Sequence, residues 1–223
     1  MATNVATLIS RITTELGQLS PGYMSTATLN RRNELWVKAL GNLEPFQTKE
    51  KAILANRSLS SEGQQQQVAK LSEDLLANLA WFRHVLQDLE AELAQQRTDL
   101  FTVEVTVKDD LLRYHRLREI RDRMAGLNQA ERDVAYLTAS QQDQAETLLA
   151  LQDAPGGSWV TPDIQQRADT ERAKHQQPDL FNAYTQNELL HEHLHSLADH
   201  LAAMLRSYGT PPAKVTTGLG MAA

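Results

Sequence analysis

The residues best suited to chemistry are His191, Glu192, His193, Leu194 and His195, which match the pattern H-E-x-x-H. Two histidines four positions apart on a helix lie on one face, where both can bind the same zinc ion. The glutamate after the first histidine can then act as general base toward a metal-bound water. One interpretation is therefore a zinc-dependent hydrolase with His191 and His195 as metal ligands and Glu192 as base.

Other features of the chain favour a different interpretation of these residues. No glutamate follows Glu192, so the downstream third ligand of such hydrolases is missing, and there is no H-x-x-G-x-x-H continuation. Glu188, His191, Glu192, His195 and Asp199 form one polar face opposite a leucine stripe, which is typical of a solvated amphipathic helix. We therefore predict no catalytic residue, no metal ligand and no cofactor, with the zinc site kept as the alternative.

The elements that position these residues are predicted to be helical. Apolar residues recur in steps of three and four from Val68 to Leu93, the period of one helix face, with no proline or glycine between them. This pattern predicts one long central helix over about 61–97, capped by Ser60 or Ser61. Aromatic residues make up only 5% of the chain, which favours helices over a β-sandwich. We predict an all-α, elongated multi-helix bundle.

Residues 101–107 interrupt the helical period. Their order, Phe-Thr-Val-Glu-Val-Thr-Val, alternates apolar and polar side chains, which indicates an isolated β-strand. No second convincing strand is present, so this one must pair with a weakly coded segment, with another copy or with a different protein. The other interpretation is an extended connector whose valines pack on the helices.

Capping residues indicate where several helices begin. The chain enters a helix at Ser25 or Thr28, at Asp109 or Asp110, and at Asn128, where a glutamate three residues later resembles a capping box. Ser140 is predicted to cap the helix that follows. Thr161 precedes a proline and an aspartate, which is a strong helix-start signal.

The chain is predicted to have three parts. Residues 1–58 are N-terminal helices, of which the first covers 4–19. Residues 59–208 hold the long helix, the strand and a C-terminal helical bundle, continuous with the first part. Residues 209–223 are rich in proline, glycine, alanine and threonine, so they are predicted to be an extended tail with no core of its own.

Composition and charge restrict the classes of function. The chain has 223 residues, a net charge of −6 and no cysteine, which excludes disulfides, thiolate nucleophiles and cysteine-based metal sites. The negative charge argues against nucleic-acid binding, which needs a positive field. No stretch approaches the roughly 20 apolar residues that span a bilayer, and the N-terminus lacks a signal-peptide pattern. We expect a soluble protein made in the cytosol.

Short motifs in the second half resemble a known class of proteins. They are the segments 117–124 (LREIRDRM), 128–132 (NQAER), 148–155 (ending in Ala-Pro) and 161–164 (TPDI). Over about 105–205, they resemble a helical pattern found among structural-region proteins of tailed bacteriophages. The resemblance implies a virion or assembly component, and it carries no catalytic residue across.

These observations predict a non-enzymatic structural or assembly protein, with a phage head, connector or tail-associated role as the favoured setting. Its partners would be other copies of itself, other virion proteins or both, with no small-molecule substrate and no membrane. It would be located in the virion after synthesis in the host cytoplasm. The alternatives are the zinc hydrolase and a helical adaptor in the bacterial cytoplasm. The residues predicted to carry the contacts belong to the long helix and the strand: Val68, Leu75, Leu79, Phe82, Leu86, Phe101, Val103, Val105 and Val107.

Overall fold

A computed structural model describes residue 14 and residues 24–105 and 109–220. Within these residues all regular secondary structure is helical, which confirms the predicted all-α class. The helix predicted over 4–19 lies almost entirely outside the described residues. The helices are α1 (Thr26–Gly41), α2 (Leu43–Ala55), α3 (Ser61–Asn78), α4 (Ala80–Phe101), α5 (Asp110–Ala125), α6 (Gln129–Gln141), α7 (Ala145–Gln152), α8 (Pro162–Gln176), α9 (Pro178–Ser207) and α10 (Pro212–Leu219).

The chain divides into two compact units. Unit 1 combines the described parts of Met1–Ala94 and Tyr184–Ala223, and unit 2 is the described part of Gln95–Ala183. The boundaries fall within α4 and α9, whereas the sequence predicts one continuous domain over 1–208, with its two parts divided near residue 58, and a tail from 209. Hydrophobic periodicity cannot locate the boundaries observed here, because it continues along a helix regardless of which core the helix enters.

The core of unit 1 is built mainly from leucines of α3, α4 and α9, with contributions from α1, α2 and α10. The part of the predicted contact surface that lies on the long helix is inside this core. These side chains are fully or almost fully buried, and they are Val68, Leu75, Leu79, Phe82 and Leu86. The apolar stripe does pack against other helices, but these helices belong to the same chain and not to a neighbouring subunit.

The predicted long helix is divided at Leu79, so a single helix over 61–97 is not confirmed. The backbone of Leu79 lies at φ −92° and ψ 2°, in the sparsely populated region between helix and strand. Its N–H donates to the carbonyls of Leu75 and Leu76, and its own carbonyl accepts from Phe82 at 2.9 Å. These tighter turns interrupt the helix without any proline or glycine, so residue types give no sign of the break.

The predicted strand over 101–107 is not confirmed either. Phe101 is the last residue of α4, and the following N–H of Thr102 still donates to the carbonyl of Thr98 at 3.0 Å. Residues 102–105 have no regular structure. Val103 packs, half-buried, against the core of unit 2, as in the connector interpretation, and Val107 lies outside the described residues. Helical hydrogen bonding thus continues to Thr102 despite the preference of these residue types for strands.

The C-terminal region forms α10 where an extended tail is predicted. Val215 and Leu219, one helical turn apart, are fully buried in the core of unit 1. The helix approaches α3 closely, since a Cβ atom on Gly218 would lie 2.7 Å from a methyl carbon of Leu76. An apolar pair within eight residues is too short a pattern to predict a helix. The proline and glycine content of residues 209–223 therefore led to the prediction of an extended tail.

Unit 2 packs α5 to α8 around Tyr136, whose hydroxyl is hydrogen-bonded inside the core. The Tyr136 hydroxyl donates to Asp169 Oδ1 at 2.7 Å, and Gln152 donates to the other oxygen of Asp169. Arg172 lies 3.6 Å from the same carboxylate. Burial raises the pKa of both Asp169 and Tyr136. These mutual hydrogen bonds satisfy polar groups that would otherwise be costly to bury.

The predicted helix starts are confirmed where the cap is local. Asp109 accepts from the backbone N–H groups of α5, and Asn128 with Glu131 forms a complete capping box. Ser140 is not a cap, because α7 begins after Gln144 and the Ser140 hydroxyl donates to the carbonyl of Ala168. Thr161 precedes α8 as predicted, but its hydroxyl donates to Asp133 instead of accepting from its own helix.

None of the described helices combines the length and the apolar character that crossing a membrane would require.

The burial of Leu79 leads to a direct test of the core of unit 1. Leu79→Glu would place a carboxylate at a fully buried position, so we expect the free energy of unfolding to fall by more than about 3 kcal/mol. The matched control is Leu54→Glu, because Leu54 is 54% exposed and its replacement should change stability by less than about 0.5 kcal/mol. Urea unfolding followed by circular dichroism measures both. Equal stability of the two variants would contradict this packing.

Candidate metal centre

The leucine stripe of α9 sets the rotation of that helix. Leu190, Leu194, Leu197 and Leu201 are fully or almost fully buried in the core of unit 1. Side chains next to such a stripe on a helix lie at the border between core and solvent. His191 and His195 occupy that border, with 26% and 31% of their side chains exposed. Their rings are in contact, with centroids 4.4 Å apart.

The third member of the site comes from α4. Leu86 and Leu89 of α4 belong to the same core as the α9 leucines, and Glu90 follows directly. The Glu90 Oε1 atom lies 3.4 Å from Nε2 of His191 and 3.5 Å from Nε2 of His195. The ligand atoms of all three residues lie within 4.8 Å of one another. The structure thus supplies, from 101 residues upstream, the carboxylate that is missing downstream of the motif.

This arrangement has two possible chemical roles. Two imidazole nitrogens and one carboxylate oxygen are a ligand set that Zn²⁺ accepts, with one position left for water. Without a metal ion, the Glu90 carboxylate can instead pair with a protonated imidazole of His191 or His195. Both roles use the same three side chains, so only the presence of the ion distinguishes them.

The remaining residues of the predicted polar face are exposed. Glu188, Glu192 and Asp199 all face solvent, and the Tyr184 hydroxyl donates to Glu188. Glu192, the base of the hydrolase alternative, is not one of the three residues whose ligand atoms converge. The structure therefore brings together His191 and His195 with Glu90, and it leaves Glu192 outside this group.

A second hydrogen bond joins the same two helices one turn away from the site. The Asn187 side-chain amide donates to Glu92 Oε1 at 2.8 Å. Glu92 and Glu90 are both on α4, and Asn187 is four residues before His191 on α9. This contact and the shared core hold the two helices beside each other at the level of the candidate ligands.

His193, between the two candidate ligands, has a different environment. It is buried, with 4% of its surface exposed, and its Nδ1 atom lies 3.3 Å from Nη1 of Arg32. Because the guanidinium donates, Nδ1 must accept, which requires the neutral ring with its proton on Nε2. Burial, together with the charge of Arg32, lowers the pKa of His193, while Glu192 acts in the opposite direction.

The burial of His193 could be predicted from the sequence, but the position of Glu90 beside α9 could not. His193 follows Leu190 by three residues and precedes Leu197 by four, so it falls on the apolar stripe. Glu90 also follows a stripe residue, but nothing local indicates that α4 packs beside α9. Pairing of distant helices is a property of the folded core, which a single sequence does not encode in any short pattern.

Comparisons with protein-family models, curated proteins and solved structures find no significant match. They provide no link between this chain and the proteins of tailed bacteriophages.

The lowered pKa of His193 predicts how stability depends on pH. As the pH falls below the ordinary histidine value of 6.5, the unfolded chain binds a proton at this position before the folded chain does. Stability should therefore decrease as the pH falls, by at most about 1.4 kcal/mol per pH unit for one proton. His193→Asn retains an acceptor for Arg32 but cannot titrate in this range, so it should reduce the decrease.

Urea unfolding at pH 7.5, 6.5 and 5.5 measures this effect. The control is His84→Asn, because His84 is exposed on α4. The stability of this variant should depend on pH in the same way as that of the wild-type chain. A His193→Asn variant with the full wild-type pH dependence would show that His193 does not carry it.

Proposed function

We propose that this chain is a non-enzymatic structural or assembly protein that acts by binding neighbouring protein subunits, with the virion of a tailed bacteriophage as its setting. The observation that supports this proposal best is a group of exposed apolar side chains at the start of α5. Leu111, Leu112 and Tyr114 are 67%, 46% and 55% exposed. They lie within the region that resembles phage structural proteins.

Clustered apolar exposure favours a binding surface over ordinary surface variation. Single exposed leucines are common, but adjacent large apolar residues on one helical turn are typical of protein contact sites. The same helix buries Leu117 and Ile120 further along, so α5 already contributes to a core within unit 2. Arg113, between the exposed residues, pairs with Asp110 at 2.9 Å and supplies a polar rim.

The arginines of α5 fit a protein contact better than a nucleic-acid contact. Arg116 pairs with Glu146 at 3.0 Å, and Arg121 donates to the carbonyls of Ala150 and Asp153 at the end of α7. Arginines occupied in this way hold α5 against α7 and are less available to phosphates. This supports the partners proposed here, which are other copies of the chain, other virion proteins or both.

The contact surface proposed here differs from the predicted one. Since the long-helix stripe is buried within unit 1, we propose that the start of α5 and the preceding segment carry the contacts. Phe101, Val103 and Val105 are half-buried in that segment. Phe101 is the last residue of α4, so strand pairing with a neighbouring subunit is proposed for the residues that follow it.

Native mass tests the proposed contact surface. We expect the wild-type chain to form a discrete multimer in size-exclusion chromatography with light scattering. The double variant Leu111→Asp/Leu112→Asp should weaken its association by at least about tenfold, because each charge must be desolvated in the contact. Val105→Pro should impair association more than it lowers helical content, since proline removes a backbone donor for strand pairing.

The matched control is Val134→Asp, because Val134 is 61% exposed and lies on α6, a different helix from the one that carries the proposed surface. This variant should keep the wild-type native mass. Circular dichroism checks that all variants remain folded. Unchanged association of the double variant would exclude the start of α5 as the contact, and a wild-type chain that stays monomeric at high concentration would exclude self-assembly.

One observation favours a second candidate function, a zinc-dependent hydrolase. Glu90 provides the third protein residue that a catalytic zinc site requires, beside His191 and His195. In this function the ion would lower the pKa of a water molecule, and Glu192 would serve as the general base. Zinc-loaded protein should then cleave a peptide or ester substrate, and Glu192→Gln should abolish cleavage while retaining zinc. Equal activity of the two proteins would remove this candidate.

A further inference from the structure

We propose that Glu90, His191 and His195 bind one Zn²⁺ ion, and that this ion cross-links α4 to α9 inside unit 1. The proposal concerns zinc binding itself and does not depend on the assembly function or on hydrolysis. It rests on three convergent side chains, on their spacing and on the packing that holds them.

Two of the three spacings between the ligand atoms match a zinc site. With metal–ligand bonds of about 2.0–2.1 Å, neighbouring ligand atoms of a tetrahedral site lie roughly 3.3–3.4 Å apart. The two distances from Glu90 Oε1 to the Nε2 atoms of His191 and His195 are 3.4 and 3.5 Å. The ligand atoms of His191 and His195 lie within 4.8 Å of each other, a gap that rotation of the two side chains can reduce to the spacing of a shared ion.

The donor set selects among metal ions. Imidazole nitrogens suit zinc, copper and nickel, whereas magnesium and calcium prefer shells made of oxygen. His191 and His195 provide two nitrogens and Glu90 one oxygen, a combination found at zinc sites with an open fourth position. The absence of cysteine from the chain leaves histidine and carboxylate as the only strong zinc ligands it can offer.

The site is organised before any metal binds. Leu89 of α4 and Leu190 and Leu194 of α9, the sequence neighbours of the three ligands, are fully or almost fully buried in one core. The Asn187–Glu92 hydrogen bond ties the same helices one turn away. Ligands carried by packed helices lose little conformational freedom on binding, which favours affinity.

The site is also accessible to an ion from solvent. Glu90 is 47% exposed at its side chain, and both histidine rings are partly exposed. A bound ion would join residues 101 positions apart in the sequence. Because the unfolded chain does not hold these residues together, zinc should bind the folded state preferentially and stabilise it.

The test uses the full chain without an affinity tag, freed of metal with EDTA and titrated with Zn²⁺ by isothermal titration calorimetry. We expect one ion per chain. His191→Ala, His195→Ala and Glu90→Gln should each weaken zinc binding by at least tenfold. Two controls should retain wild-type affinity: His84→Ala removes an exposed histidine of α4, and Glu192→Gln removes the carboxylate next to His191 that lies outside the ligand set.

Thermal unfolding with and without Zn²⁺ provides a second readout. Zinc should raise the Tm of the wild-type chain and of both controls, and it should leave the Tm of His195→Ala unchanged. Circular dichroism without metal establishes that each variant is folded, so that lost binding reports the ligand and not the fold. A wild-type chain that binds no zinc, or one whose affinity survives all three ligand substitutions, would overturn the proposal. Dependence on the histidines but not on Glu90 would overturn the three-ligand site.

Discussion

The structure of unit 1 depends above all on the burial of the leucine stripe of α9. Leu190, Leu194, Leu197 and Leu201 have essentially no exposed surface, and they share one core with leucines of α3 and α4. Since a helix is a rigid cylinder, burial of one stripe sets the direction of every other side chain on it. The three histidines of one short motif thus acquire different environments. His193 is inside against Arg32, while the two others stand at the border beside α4.

The same packing determines which surfaces are available for function. The buried apolar residues of the predicted long-helix stripe, on α3 and α4, pack within the chain, so they are not free to bind a partner. Adjacent exposed apolar side chains, Leu111 and Leu112, are found at the start of α5 in unit 2. At the border of the α9 stripe, packing places Glu90 within 3.4 and 3.5 Å of two imidazole nitrogens. We therefore propose protein contacts for unit 2, based on the exposed apolar residues of α5. The metal site is proposed for unit 1, based on the spacing of Glu90 and the two histidines.

Local features of the fold are predictable from the sequence, and non-local ones are not. The helical class follows from periodicity, and the caps at Ser60, Asp109 and Asn128 follow from side chains that bond within three residues. The break at Leu79 has no local sign, because its backbone conformation is open to any residue. The helix α10 is not predictable from the composition of the C-terminal segment. It is stabilised by Val215 and Leu219, which pack into a core made of residues distant in the sequence. Glu90 is missed for the same reason, because its role depends on which helix lies beside α4.

The central claim is that core packing converts two histidines and a distant glutamate into one metal site. X-ray absorption at the zinc edge, on the full chain loaded with one equivalent of Zn²⁺, tests this claim most directly. The account predicts a first shell of nitrogen and oxygen at about 2.0–2.1 Å, with outer-shell scattering from two imidazole rings that is lost in His191→Ala/His195→Ala. A shell of oxygen ligands without imidazole scattering, unchanged in that variant, would contradict it.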